Sequence, residues 1–294
     1  MTDANPTYVE RNLRATIRLG QGDFGNSGFN TVTLENLRMV ASIQKLGPPG
    51  AANADIRIYG LTETVMNTLS TIGVPTDQAR KNLITLEAGD KIAGMSVVYD
   101  GDIIYCSQNY NASPDTFMQI VGITSRSYAM SPATPTSVAG LADVGTMMES
   151  LALKMSRAFK NNGVDVKITN PYFAGNYKRQ AEDLARAANI EMFDDGRTIH
   201  IWRKFSTRAT PIPLISVDTG LIGYPTASAF AMDFRCLYNP LIQFGGAIEM
   251  KSAIKTANRL WYVNSLSYDL SSQVPNGPWF CNVSCNVQPN VAKP

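Results

Sequence analysis

Residues 278–287 read Pro278-Trp279-Phe280-Cys281-Asn282-Val283-Ser284-Cys285-Asn286-Val287. Trp279, Cys281, Val283, Cys285 and Val287 fall on one side of a two-residue repeat. Asn282, Ser284 and Asn286 fall on the other. Side chains alternate across a strand, so this pattern predicts a strand with one face in a core and one in water. Two cysteines four apart on a strand are separated by ~13 Å, too far for a disulfide. Cys281 and Cys285 are therefore expected as small core residues. With Cys106 and Cys236 they form no C-x-x-C pattern for metal or redox work.

Working back from this strand, β patterns recur at Leu260–Ser267, Ala247–Ser252, Ser228–Arg235 and Leu214–Val217. The loop Gln273–Pro278 joins the last two strands, and the chain after Gln288 is a polar tail. Residues 206–213, Ser-Thr-Arg-Ala-Thr-Pro-Ile-Pro, read as a linker. Before it, residues 143–205 read as a small α/β unit. Thr146 and Glu149 fit a capping box for a helix carrying Met148, Leu151, Met155 and Phe159, stopped by Gly163. Val164–Thr169 is strand-like, and Asn176 caps a second helix with Ala181, Leu184, Ala185 and Ala188. A hairpin follows, Ile190–Phe193 and Thr198–Trp202 about the turn Asp194-Asp195-Gly196.

Residues 126–141 read as another linker, and 13–125 as six or seven strands with one short helix. The strands are Ala15–Leu19, a long bent one over Thr31–Lys45, Asp55–Tyr59, Asn82–Glu87, Met95–Ser107 and Asp115–Ile123. Asp100-Gly101 between apolar runs is a hairpin signal. Thr62 caps the helix, Val65, Met66, Leu69 and Ile72 form its apolar face, and Gly73 and Pro75 end it. The expected fold class is mainly β with a small α/β part. The expected domains are 1–128, 129–208 and 209–294: a small antiparallel barrel or sandwich, the helix-containing α/β unit, and a second short-stranded antiparallel module, which the resemblance below makes two tube-like β-barrels.

Composition restricts function. The chain has 294 residues, 26 basic and 24 acidic, a net charge of +2 and 17 % charged residues. An ordinary soluble protein carries ~25 %. This balance excludes a strongly basic nucleic-acid surface and an acidic tail. Asn (22), Gly (22) and Pro (16) replace the missing charge. Sparse charge suits either a neutral β-rich monomer or a protein whose faces are covered by neighbours. The N-terminus, Met1-Thr2-Asp3-Ala4-Asn5-Pro6, shows no signal-peptide pattern, and no run of ~18 apolar residues predicts a membrane span. The longest low-charge stretch, Ile212–Met232, is broken by Pro213, Asp218, Gly220, Gly223 and Pro225.

Catalytic patterns are sparse. His200 is the single histidine and sits on a hairpin strand, where a structural role is expected over that of a general base. Gly20-Gln21-Gly22-Asp23-Phe24-Gly25 spells G-x-G-x-x-G, but the chain continues into loop and strand where a dinucleotide site needs a helix. No P-loop, H-E-x-x-H, EF-hand or G-x-S-x-G pattern occurs. No catalytic, cofactor-binding or metal-binding residue is assigned, and no cofactor is expected. Arg203, Lys204, Arg208 and nearby Lys178 and Arg179 give the α/β unit mild positive charge, read as a solvated face or as contact with an acidic partner.

The order of motifs in the last third adds a resemblance. Thr219-Gly220-Leu221-Ile222-Gly223-Tyr224-Pro225 precedes Phe234-Arg235-Cys236-Leu237-Tyr238-Asn239-Pro240. Tyr262-Val263-Asn264-Ser265-Leu266-Ser267-Tyr268-Asp269-Leu270 then leads to the Trp279 strand. This resembles the C-terminal barrel of baseplate hub proteins from contractile-tailed bacteriophages, the late-control-D-like double-barrel family, with Tyr268 where histidine is common. Ala54–Leu61 followed by a short helix looks like their first, tube-like barrel. The resemblance implies a homotrimeric, non-enzymatic virion protein joining a sixfold tail tube to a threefold central spike. It implies tube and spike proteins as partners, with tape-measure and wedge proteins beside them. DNA would pass only through the lumen, no membrane would be entered, and assembly would take place in the host cytoplasm. An obligate interface of that kind is poor in charge and rich in aromatics and Met, as this chain is. A related injection or type VI machine is the alternative setting. An enzymatic alternative, a peptidoglycan hydrolase, has only Glu182, Asp183, Glu191, Asp194 and Asp195 for its carboxylates.

Overall fold

The computed structural model describes residues 10–24, 28–46, 51–71, 82–227 and 231–287. Residues 1–9, the helix stop at Gly73 and Pro75 with Ile72, the start of the Ser228 strand and the tail after Gln288 lie outside them. The chain divides into two compact units. One comprises residues 1–43, 54–122 and 269–279; the other comprises 44–53, 123–268 and 280–294.

The first unit is antiparallel sheet. Its strands are β1 (Arg11–Arg18), β2 (Thr31–Leu34), β3 (Met39–Leu46), β4 (Ala52–Tyr59), β5 (Leu83–Asp90), β6 (Gly94–Asn109) and β7 (Phe117–Ile123), with helix α1 (Glu63–Leu69) after β4. They run in the order β3-β4-β7-β6-β5-β1-β2. Leu13, Ala15 and Ile17 of β1 are fully buried, as are Ile56 and Ile58 of β4 and Ile84 and Leu86 of β5. Each set sits at every second position, which is why one face of the sheet makes the core. Thr62 caps α1 by accepting from the Val65 amide, and Met66 and Leu69 are its buried residues.

Two expectations here are corrected. The stretch Thr31–Lys45 is not one bent strand but β2 and β3, parted at residues 35–38, where Asn36 takes φ 58°. A left-handed residue cannot continue a strand. Asp100-Gly101 is not a turn: β6 runs straight through it, with Asp100 opposite Thr85 and Gly101 opposite Ile84. The Thr85 hydroxyl donates to the Asp100 carboxylate at 2.8 Å, tying Asp100 into the ladder. The hairpin lies earlier, where Asp90 Oδ1 accepts from the Ile92 and Ala93 amides at 2.7 Å each, before Gly94 at φ 80°.

The second unit begins with α2 (Arg126–Met130), β8 (Thr136–Ser137), β9 (Leu141–Asp143), α3 (Val144–Lys154), β10 (Ala158–Asn162), β11 (Lys167–Thr169), β12 (Tyr172–Phe173), α4 (Tyr177–Ala187), β13 (Ile190–Asp194) and β14 (Thr198–Arg203). A three-stranded sheet runs β10-β14-β13, with β10 parallel to β14. Val144, Met148, Leu151 and Ala152 of α3, Ala181 and Leu184 of α4, and Ile199 and Ile201 of β14 share one core. Residues 126–141 are no free linker. Gln180, fully buried, donates to the Thr134 and Gly175 carbonyls and accepts from the Thr136 hydroxyl.

The capping residue of α3 is Asp143, which accepts from the Thr146 amide at 2.8 Å, in place of the expected Thr146/Glu149 box. Gly163 does not stop this helix. It ends at Lys154, the chain reverses at Ser156 (φ 51°), and Phe159 lies in β10. The expected strand at Val164–Thr169 is shorter, β11 alone.

The remainder is β15 (Leu214–Ile215), a 3-10 turn (Val217–Thr219), β16 (Leu221–Ala227), β17 (Ala231–Leu237), β18 (Ala247–Met250), a second 3-10 turn (Lys255–Ala257), β19 (Leu260–Ser272) and β20 (Trp279–Asn286). The order is β16-β17-β20-β19, with β18 on β19 and β15 parallel to β18. Along β20, Trp279, Cys281, Val283 and Cys285 are buried and the residues between them half-buried, as the alternation predicts. All four cysteines are free and buried. The whole is mainly β with few helices.

Candidate functional site

Of the five carboxylates open to an enzymatic reading, Glu182, Glu191 and Asp194 line one cleft of about 360 Å³ between α4 and β13. Ala181 and Ala185 lie one turn apart on α4 and, with Met155, Met192 and Ile199, give the cleft an apolar lining. Burial raises the Glu182 carboxyl against the pull of Lys178 and Arg179. Burial also raises Asp194, against Arg157, the Ser125 hydroxyl and the Gly196 amide. The Ser125 hydroxyl donates to Asp194 Oδ2, and Arg157 Nη2 donates to that hydroxyl at 3.2 Å. Both carboxyls are thus pushed the same way, whereas an acid/base pair needs environments that push them apart.

Asp183 and Asp195 do not line the cleft. Asp183 holds Arg179 and Arg186 at 2.9 Å each along the exposed side of α4. Asp195 closes the β13–β14 turn, accepting from the Arg197 and Thr198 amides at 2.9 and 2.7 Å. Its second oxygen lies 2.9 Å from His200 Nε2. Local hydrogen bonding is the ordinary work of Asp at a turn. Among the described residues no group of three or more His, Cys, Asp or Glu could hold a metal ion, and no helix is long and apolar enough to cross a membrane.

Arg208, expected on a solvated face, is 7 % exposed. Its Nη1 donates to the Phe244 carbonyl at 2.9 Å, and its guanidinium lies about 6 Å from the rings of Trp202 and Phe193. Its amide donates to the Gly245 carbonyl, so the 206–213 stretch is stitched to the fold. The apolar body of an arginine tolerates such burial where aromatic faces receive its charge.

The first two motifs of the last third lie side by side on neighbouring strands. The Thr219 hydroxyl donates to the Leu214 carbonyl and accepts from the Ser216 amide, locking the turn. Gly220 takes φ 100°, and a Cβ there would stand 3.1 Å from Leu237 Cβ. β16 then runs beside β17, with a register shift between Ile222 and Thr226. The burial of β16 is sparse: only Leu221 and Pro225 are buried. Sequence reading missed β16 because Gly223 and Pro225 interrupt its pattern, although the charge-poor run Ile212–Met232 contained the signal. Further along, Tyr268 stacks edge-on to Tyr238 at 5.7 Å and donates to the Ile242 carbonyl at 3.4 Å.

The fold is shared with solved tail proteins. The tail protein of Neisseria meningitidis MC58 is similar at a TM-score of 0.62 and 8 % identity, over 94 % of this chain and 96 % of that one. The 43 kDa tail protein of prophage MuSo2 from Shewanella oneidensis gives 0.61 and 8 %, over 96 % and 97 %. The E. coli c3393 protein, a type VI secretion component described as structurally similar to T4 tail proteins gp27 and gp5, gives 0.59 and 8 %, over 86 % and 76 %. No curated protein sequence matches. The family model for baseplate hub gp41 matches residues 12–285, nearly the full length, and the chain belongs to that family of phage baseplate hubs.

Proposed function

We propose that this hub is a trimeric adaptor between the sixfold tail tube and the threefold central spike, and that it forms part of the channel for DNA passage. The observation that carries this is the presence of two β-rich units in one chain of the baseplate hub family. Three copies of such a chain bring six β modules to a ring, which reconciles threefold with sixfold neighbours. The division expected from the sequence (barrels at 1–128 and 209–294 about an α/β unit at 129–208) is the modular form of this proposal. Tube and spike are the direct partners, tape-measure and wedge proteins the neighbours, and assembly takes place in the host cytoplasm before the hub enters the virion. The role is structural and non-enzymatic.

Native mass spectrometry and light scattering of the hub, alone and with its spike, test this. A species of three chains of 32.0 kDa is expected. A monomer under both conditions overturns it. Zymography on cell wall is expected to give no clearing; a clearing zone lost on Glu182→Gln, at the cleft, with the melting temperature unchanged would instead establish a hydrolase. The fold likeness to a type VI component supports a second setting, the hub of a related injection machine. Sheath, tube and tape-measure genes beside this one distinguish the two.

A further inference from the structure

Among the described residues β16 pairs only with β17, so it is the open edge of its sheet. Around it, Val217 is 71 % exposed, Tyr224 73 %, Leu214 41 %, Leu237 40 % and Ile222 39 %. These residues lie on neighbouring stretches of chain, with the exposed Asp218 beside Val217 and the exposed Arg235 opposite Ile222. The Thr219 hydroxyl holds the 217–219 turn to Leu214, Leu237 abuts the Cβ position of Gly220, and Ile222 faces Arg235 across the ladder. No residue of β16 carries a charge. Together the five side chains leave on the order of 500 Å² of apolar surface to water, near the upper end of what a monomer shows. A standard interface buries about 800 Å² per partner, of which roughly 56–65 % is apolar. The patch is therefore the size of one partner's apolar contribution.

An open strand edge invites any passing strand. Here Pro225 offers no amide donor and the register shift between Ile222 and Thr226 breaks the edge. Indiscriminate strand addition is blocked while the apolar side chains stay outward, which suits contact through side chains with one defined neighbour.

We infer that this patch is the contact between copies, occupied by a different surface of the next hub chain. The inference rests on the trimeric reading and deepens it: in a closed ring of three, each contact is heterologous, so one patch per chain is enough.

The test is the double variant Val217→Asp/Tyr224→Asp, with Leu153→Asp as an exposed apolar position elsewhere. Light scattering reads the trimer, and circular dichroism with thermal melting reads the fold. The double variant is expected to melt as the parent does while needing at least about 100-fold more protein to associate, and Leu153→Asp is expected to remain trimeric. A benzophenone amino acid at Tyr224, in hub co-produced with the other tail proteins, is expected to cross-link hub to hub. A trimer that survives the double variant, dissociation by Leu153→Asp alike, or a cross-link to a different tail protein each overturns the inference and leaves the trimer standing. A parent chain that is monomeric with and without spike removes the trimeric reading itself.

Discussion

His200 Nε2 stands 2.9 Å from Oδ2 of Asp195, while the other oxygen of that carboxylate receives two backbone amides. Burial alone would raise the Asp195 carboxyl, but the His200 hydrogen bond and the Arg197 and Thr198 amides hold it down at about 2, from an ordinary 3.8. A carboxyl whose folded value is depressed stabilises the fold above its unfolded value, and that contribution is lost as pH falls from about 4 to about 2. Asp195→Asn is expected to cost about 1–2 kcal/mol at pH 7 and to flatten the acid limb of melting temperature against pH. Melting curves from pH 2 to 7 check this; an unchanged acid limb would assign that limb to other carboxylates.

Lys45 is half-buried in the second unit, its Nζ 5.2 Å from the centroid of Tyr268. Burial lowers its amine from 10.5 to about 8, although Asp195 pulls the other way. Between those values the unfolded chain binds more protons, so this residue makes stability rise with pH over that window. Lys45→Met is expected to be more stable at pH 7 by about 1–2 kcal/mol and to lose the rise. Denaturant titrations at pH 7 and pH 10 decide it, and a destabilised variant would show the ammonium to be well accommodated.

Gly245 and Gly94 share a left-handed backbone, φ 76° and 80°, in different surroundings. A Cβ at Gly245 would lie 2.8 Å from Trp202 Cζ2 and 3.0 Å from Arg208 Cδ; one at Gly94 would meet nothing within 4 Å. Gly94→Ala is expected to cost about 1 kcal/mol, from backbone strain alone. Gly245→Ala is expected to cost about 2–4 kcal/mol, because the aromatic packing around Arg208 must also shift. Equal losses in parallel urea titrations would mean that Trp202 yields freely.

Cys236 lies directly opposite Cys281 across β17 and β20, both buried. Its hydrogen bond with Cys281, made by the neutral thiol, and burial push the Cys236 thiol far up; burial raises Cys285 well above its usual value and Cys106 to about 12. Thiolate is the reactive form and a reagent must reach it; all four cysteines are buried, so all four are expected to be inert to a thiol reagent in the native protein and to react together in guanidinium. A native thiol that reacts within minutes at pH 8 would reveal local opening of its strand.

The strands with clean alternation were legible: β1, β4, β7 and β20 sit where their periodicity puts them, as do α4 and the β13–β14 hairpin. What misled was local turn chemistry. Asp100-Gly101 has a turn's residues, yet Asp100 is spent on Thr85 and the sheet carries the strand through. Asp143 outcompeted Thr146 as a cap because its carboxylate takes the Thr146 amide, which the expected box had assigned to the Glu149 side chain. The cleft between α4 and β13 was only partly legible, since hairpin and helix were visible but not their facing. Arg208 was misplaced because a charged residue beside prolines reads as solvated, and only tertiary structure supplies its aromatic surroundings.

The chain passes between its two units after residues 43, 53, 122, 268 and 279. Neither unit is thus a single run of sequence. A genetic exchange with one breakpoint anywhere between residues 54 and 268 would separate residues 1–43 from 269–279 of the same unit. Modules strung end to end can be shuffled among phages one at a time; these two are interleaved, and recombination has to inherit them together. Variation in such a hub should therefore accumulate by substitution on its surfaces and by insertion at its loops, with whole-gene replacement as the only clean exchange.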